Sequence, residues 1–177
     1  MPKYVIVGNS AGGIAAVEAI RSRDKEGTIA LVSDEPYPAY SRPLISKYLA
    51  GETTEQGMLY RPADFYEIHA VKAYLGKVAV RLDVESRKLH LEGGPALAWE
   101  QLLLATGGTP IVPRMEGLDK GGVFTFTTLD DAKKLDSALE PCGRVVVVGG
   151  GLIGMSVTEA LVKRGIQVTV VELLDRV

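Results

Sequence analysis

Cysteine is almost absent: Cys142 is the only one in 177 residues. One thiol excludes an intramolecular disulfide, a cysteine-rich metal site and any relay of electrons through an internal cysteine pair. Flanked by Pro141 and Gly143, it is read as a structural thiol rather than a reactive one. Histidine is nearly as scarce. His69 and His90 stand apart without metal-ligand spacing and are read as surface residues. No sign of charge dominates, and a net of −2 argues against a surface that coats nucleic acid. No apolar run is long enough to span a bilayer. The N-terminus opens on a strand-like segment without a charged-then-apolar leader, which predicts no secretory signal and a cytoplasmic location. Aromatics are few, and the lone Trp99 is read as a packing residue.

Glycine is plentiful, and its placement is informative. Gly8-Asn9-Ser10-Ala11-Gly12-Gly13 follows the apolar run Tyr4-Val5-Ile6-Val7, and Gly149-Gly150-Gly151-Leu152-Ile153-Gly154 follows Val145-Val146-Val147-Val148. Each turn opens a helix-like segment, and each helix leads to a second apolar strand ending in acid. The remaining composition, 46% apolar and 24% charged, is that of a globular protein, and 177 residues suffice for one good core or for one core plus a partial second domain.

The spacing predicts a strand over 3–7, a helix over 11–21 with Ile14, Val17, Ala19 and Ile20 on one face, and a strand over 28–32. This implies a parallel pair with a right-handed crossover. The mixed run Arg21-Ser22-Arg23-Asp24-Lys25-Glu26 reads as a solvated helix end. Residues 34–62 form a proline-punctuated excursion with a short helix over 44–49, and long excursions of this kind are usually functional. A helical turn is expected over 63–68. From 71 to 91 the pattern is β-like, with a hairpin turn over 83–87, and Gly93-Gly94-Pro95 marks another turn. A buried strand is expected over 101–105 and a short strand over 123–126. A helix is expected from Thr128 to Leu139, with Asp130 and Asp131 in its first turn. The second strand–turn–helix–strand unit fills 144–172. One such unit is too little sheet for a finished domain, so the chain is expected to be a partial one.

In a dinucleotide fold the first glycine permits the tight turn, the second admits the pyrophosphate and the third lets helix and strand pack closely. Gly8 and Gly13 suit the first and third roles. The middle position is Ser10, whose hydroxyl can donate to a phosphate, and Ala11 adjoins it. Gly149, Gly151 and Gly154 fill all three roles in the second unit. A carboxylate roughly 20 residues beyond such a turn binds the adenosine ribose. Asp34 or Glu35 stands there in the first unit and Glu172 in the second. An acid repels a 2′-phosphate, so Glu172 favours NADH, while Arg176 keeps NADPH open.

The stretch Ser33 to Lys47, with Tyr40-Ser41-Arg42-Pro43-Leu44 at its centre, resembles the FAD-dependent pyridine nucleotide–disulfide oxidoreductase family in its disulfide-free branch. That branch holds ferredoxin and rubredoxin reductases and the flavin part of NADH-dependent nitrite reductase. Ala105-Thr106-Gly107-Gly108 and Thr128-Leu129-Asp130-Asp131 resemble further family motifs, and the likeness covers essentially the whole chain. It implies an α/β fold: a Rossmann-like FAD-binding domain over 1–110 with an inserted β-meander, then the beginning of a Rossmann-like NAD-binding domain over 111–177. It also implies an N-terminal part of an enzyme that passes hydride from NADH to FAD and electrons on to an external acceptor such as an iron–sulfur protein. Gly8, Ser10, Ala11 and Gly13 would meet the FAD pyrophosphate and Asp34 or Glu35 the ribose. Arg42 and Lys47 would meet the flavin side, with Lys47 the candidate catalytic residue. Ala79 would face the adenine, and Thr106 and Gly107 would lie near the flavin. Gly149, Gly151, Gly154 and Glu172 would hold NADH. Tyr37 and Tyr40 would either shield the flavin or pack the loop.

Three positions depart from the family pattern: Ser10 for the middle glycine, Thr127 where many relatives carry a flavin-contacting arginine, and Ser156 where relatives carry a glutamate that pairs with the lysine matching Lys47. Complete relatives also carry the rest of the NAD domain, a Gly-Asp segment that finishes the FAD site, and a C-terminal domain. The alternative is a non-catalytic nucleotide-binding module, or a subunit completed by another chain.

Overall fold

A computed structural model describes residues 2–140 and 142–175, so Pro141 and Arg176 lie outside the described residues. The chain forms two compact units. Unit 1 comprises Met1–Ser41 and Leu59–Gly108, and unit 2 comprises Arg42–Met58 and Thr109–Val177.

Unit 1 is built on β1 (Tyr4–Val7), α1 (Ala11–Arg23) and β2 (Ile29–Ser33), the crossover that the apolar spacing predicts. β1 pairs in parallel with β2, Val7 opposite Val32, and on its other edge with β7 (Gln101–Leu104). β3 (Val71–Leu75) joins β2, also in parallel, giving the order β3-β2-β1-β7. The first part of the β-like stretch over 71–91 therefore belongs to the parallel sheet, and only its remainder to the meander. That meander is β4 (Ala79–Asp83), β5 (Lys88–Leu91) and β6 (Ala96–Ala98), antiparallel throughout.

Continuous apolar strands are buried on both faces, and the alternation sorts them into two layers. Val5, Val7, Ala30 and Val32 pack against Leu89, Leu91 and Leu97 of the meander, with Trp99 at the margin. Ile6, Ile29 and Leu31 face the other way, onto Ile14 and Val17 of α1 and onto Phe65. Ile14 and Val17 are fully buried, and each such side chain contributes ~1.5–3 kcal/mol. Phe65 opens α3 (Phe65–Ile68). Contrary to expectation, β7 is not a buried strand. It ends the sheet, and Leu103 and Leu104 stay exposed.

The run Arg21–Glu26 at the end of α1 is solvated at Ser22, Arg23, Lys25 and Glu26, as expected, but not at Arg21. Arg21 is only 9% exposed. Its Nε donates to the His69 carbonyl at 2.7 Å, Nη1 to those of Gly27 at 2.7 Å and Asp24 at 3.2 Å, and Nη2 to that of Ala70 at 3.3 Å. Asp24 accepts from Lys3 Nζ at 2.6 Å, the Tyr4 hydroxyl at 3.0 Å and the Gly27 N–H at 2.7 Å, and these bonds hold its carboxyl far below the usual range.

Unit 2 contains a 3-10 turn over Arg42–Leu44, α2 (Ile45–Leu49), a second 3-10 turn over Gln56–Met58, α4 (Leu129–Leu139), β8 (Arg144–Val148), α5 (Leu152–Lys163) and β9 (Gln167–Val171). β8 and β9 pair in parallel, Val148 opposite Val171. Leu49, Leu135, Leu139, Val147, Val157 and Leu161 form its core. Val147 points into that core, whereas Val146 and Val148 are 62% and 59% exposed on the uncovered face of this two-stranded sheet. The strand expected over 123–126 is not formed; this stretch pairs with no other described strand.

Candidate functional site

The first glycine turn owes its shape to steric demand. Gly8 has φ +122°, and a Cβ there would lie 2.0 Å from the Ala105 carbonyl oxygen. Its N–H donates to the Val32 carbonyl at 2.8 Å, continuing the strand ladder by one bond. Gly13 is buried, and a Cβ on it would lie 2.0 Å from the Gly8 oxygen. Ser10 is the N-cap of α1 with extended backbone that any residue adopts, so the middle glycine is dispensable for the chain's own geometry. The Ser10 carbonyl accepts from Ile14 at 3.0 Å, but its side chain makes no capping bond.

The second turn repeats the device. Gly149 has φ +102°, its N–H donates to the Val171 carbonyl at 2.8 Å, and a Cβ on Gly154 would lie 1.9 Å from the Gly149 oxygen. Gly151 is the N-cap of α5, again extended, with open space where a side chain would begin. Helix α4 behaves differently. Thr128 accepts from the Asp131 N–H at 3.1 Å, and the Asp131 carboxylate accepts from Thr128 N–H at 3.0 Å in a reciprocal capping box. Thus α4 satisfies its own N-terminus, while α1 and α5 leave their first-turn N–H groups and positive dipole ends uncapped by side chains, as anion-binding helices do.

Glu172 stands at the end of β9 beside the second turn. Its Oε2 accepts from the Gly150 N–H at 2.6 Å and Oε1 from those of Leu173 and Leu174 at 2.7 and 3.0 Å. The bonds from Leu174, Gly150 and Leu173 hold its carboxyl below the ordinary range. By strand register the matching place in unit 1 is Ser33, since Val7 opposes Val32 as Val148 opposes Val171. Asp34 and Glu35 therefore lie one and two residues further on. Asp34 is exposed and accepts from the Glu35 N–H at 3.0 Å. Glu35 is half-buried and accepts from the Tyr40 hydroxyl at 2.5 Å.

Among the other expected site residues, Ala79 opens β4 half-buried beside a register shift before Arg81. Thr106 and Gly107 follow β7 and are exposed, Gly107 at φ +72°. Ala11 is exposed in the first turn of α1. Arg42 and Lys47 belong to unit 2. Arg42 donates to the Thr127 carbonyl at 2.9 Å. Lys47 is exposed on α2, and its carbonyl accepts from Glu52 at 2.9 Å. Ser156 is exposed, and one turn along α5 Glu159 pairs with Lys163 at 2.9 Å. That bond chiefly lowers the Glu159 pKa, with the Lys47 charge adding to it. Two side chains were missed. Asn9 occupies a position the glycine motif leaves open, and Tyr66 bonds it at 2.8 Å from α3. Only the fold brings them together.

Cys142 donates to the Arg144 carbonyl at 3.0 Å. Among the described residues no cluster of His, Cys, Asp or Glu could hold a metal ion, and no helix is long and apolar enough to cross a membrane.

Comparison with known proteins gives concordant results. The chain is 36% identical over 173 residues to rhodocoxin reductase of Rhodococcus erythropolis, across 97% of its own length and 40% of that protein's. It is 37% identical over 171 residues to the ferredoxin–NAD(+) reductase component of the biphenyl dioxygenase system of Paraburkholderia xenovorans, covering 96% of this chain and 42% of the other. Among solved structures, the ferredoxin reductase for the CYP199A2 system from Rhodopseudomonas palustris superposes with a TM-score of 0.91 at 30% identity, over 100% of this chain and 44% of that one. The chain thus spans about two-fifths of the length of these relatives. The pyridine nucleotide-disulphide oxidoreductase family matches residues 2–177, and the chain belongs to that family.

Proposed function

We propose that this chain is the part of a flavoprotein oxidoreductase that binds FAD and begins the NADH site. Residues 1–110 are assigned to the FAD-binding domain, completed there by Asp34 or Glu35, Ala79, Thr106 and Gly107, and 111–177 to the start of the NAD-binding domain. The observation that carries the reading is the repeated turn. Helices α1 and α5 lack side-chain caps and begin at glycine turns with no room for a Cβ on Gly13 or Gly154, whereas α4, which caps itself, follows no such turn. Gly8, Ser10, Ala11 and Gly13 would cradle one pyrophosphate, and Gly149, Gly151 and Gly154 the other. Glu172, held ionised by three N–H groups, would accept from the adenosine ribose of NADH and disfavour a 2′-phosphate. Lys47 retains its assignment as catalytic cation, and Arg42 as a flavin-side contact, on the strength of sequence resemblance alone.

When bound, FAD would supply the redox chemistry, the capacity to accept hydride from NADH and pass electrons to an acceptor. The named relatives support an external redox protein, such as an iron–sulfur protein, as that acceptor. A cytoplasmic location goes with this reading. The test is anaerobic mixing of the full-length protein with NADH, followed by the flavin absorbance. Bleaching by NADH, and reoxidation by a dye or iron–sulfur acceptor, is expected. A full-length protein that purifies without flavin, takes up none and reduces no dye overturns the reading.

A further inference from the structure

We propose that Asn9 and Tyr66 are positioning residues for the unit 1 dinucleotide site, locking the phosphate turn to the acid-bearing segment that follows β2. This rests on the FAD reading above. Asn9 lies inside the turn, between Gly8 and Ser10. Its Nδ2 donates to the Tyr37 carbonyl at 3.1 Å, and its Oδ1 accepts from the Tyr66 hydroxyl at 2.8 Å. The same hydroxyl accepts from the Ala39 N–H at 3.0 Å. The orientations follow from chemistry. The Tyr37 carbonyl can only accept, so the amide nitrogen faces it. The Tyr66 oxygen already accepts a hydrogen bond from the Ala39 N–H, so its own O–H donates to Asn9 Oδ1. Burial raises the Tyr66 pKa, which keeps that proton in place.

The strand ladder joins the two segments only as far as the Gly8 N–H and the Val32 carbonyl. Beyond that point the Asn9–Tyr66 bonds cross-link the two segments. They reach Tyr37 and Ala39, and the Tyr40 hydroxyl carries the connection back to Glu35. α3 is a firm base for it. Phe65 is buried in the unit 1 core, its ring edge-on to that of Tyr66 at 5.6 Å. Turn and acids are thereby held in register before a ligand arrives. A cradle ordered in advance binds more tightly because less freedom is lost on binding.

The test strips flavin from the full-length protein and titrates FAD into wild type, Asn9→Ala, Tyr66→Phe and the double variant, well below the melting temperature of each apoprotein. Tyr66→Phe keeps the ring and its packing, so it carries the test if Asn9→Ala folds poorly. Each single change is expected to raise the Kd for FAD about tenfold, the value of one buried hydrogen bond to a pre-ordered site. The double variant should do little more than either single, because the two share a bond, and the KM for NADH should not move. A Tyr66→Phe protein that binds FAD within about twofold of wild type overturns the proposal. So does a parallel rise in the KM for NADH, which marks a general loss of structure. A wild-type apoprotein that takes up no FAD overturns the FAD reading instead.

Discussion

Gly13 of α1 presses its Cα against the Gly8 carbonyl oxygen so closely that a Cβ would sit 2.0 Å from it, and Gly154 stands against Gly149 in the same way at 1.9 Å. The obstacle is backbone in both cases, so no flexible side chain can yield.

Gly13→Ala should therefore push α1 off β1 and cost about 2–3 kcal/mol, read as a lower urea midpoint and a lower flavin-to-protein ratio. Gly154→Ala should leave flavin content unchanged and raise the KM for NADH. A Gly13→Ala protein with full flavin and wild-type stability would contradict the packing argument.

Glu172→Gln removes the charge that three backbone N–H groups converge on. Charge-assisted bonds are the stronger kind, so the KM for NADH is expected to rise about tenfold. Flavin content should stay unchanged. Steady-state kinetics with NADH and NADPH side by side check both the loss and any relaxed preference.

Asp131 supplies a pH dependence. Burial raises its pKa, but bonds from the N–H and hydroxyl groups of Thr127 and Thr128 outweigh it and leave the carboxyl below its ordinary value. A depressed folded pKa means stability that is present above the unfolded value of about 3.9 and lost as pH falls through the folded one. Asp131→Asn should cost ~1 kcal/mol at neutral pH, the worth of a capping box. The two proteins should converge in acid. Melting temperatures measured from neutral to acid pH test the sign.

Arg21→Ala would strand four carbonyls that the guanidinium now satisfies. The expected cost is about 2–4 kcal/mol. Arg21→Lys should not rescue it, since one ammonium cannot spread to carbonyls that lie on different sides of a planar fork. Urea midpoints for the two variants decide the matter.

Arg21 also shows where reading the sequence reaches its end. A charged run after a helix is usually solvated, and the partners that make this arginine an exception, His69 and Ala70, lie 48 and 49 residues away. Elements written in local periodicity were legible: α1, expected over 11–21 and formed over Ala11–Arg23, α4, expected from Thr128 and formed over Leu129–Leu139, and both glycine turns. Burial was less so. Leu102-Leu103-Leu104 has the composition of a central strand, yet its place at the sheet edge is a property of topology. Val123 to Phe126 has strand composition but, among the described residues, no strand pairs with it. Asn9 was invisible as a structural residue because its partners come from distant places in the chain, Tyr37 from the segment after β2 and Tyr66 from α3.

The path of the backbone has a consequence for how the molecule is made. Arg42–Met58 folds with unit 2 although unit 1 resumes at Leu59. Leu49 is buried among Leu135, Leu139 and Leu161, and its carbonyl accepts from Arg164, 115 residues later. During synthesis α2 leaves the ribosome long before α4 and α5 exist, so its apolar face must wait until they are made. Contacts of such sequence separation slow folding and prolong the exposure of sticky surface. The same threading makes the first unit inseparable by a single cut. A fragment ended at Gly108 would keep α2 and lose Leu135, Leu139, Val147, Val157 and Leu161, the core that Leu49 packs into.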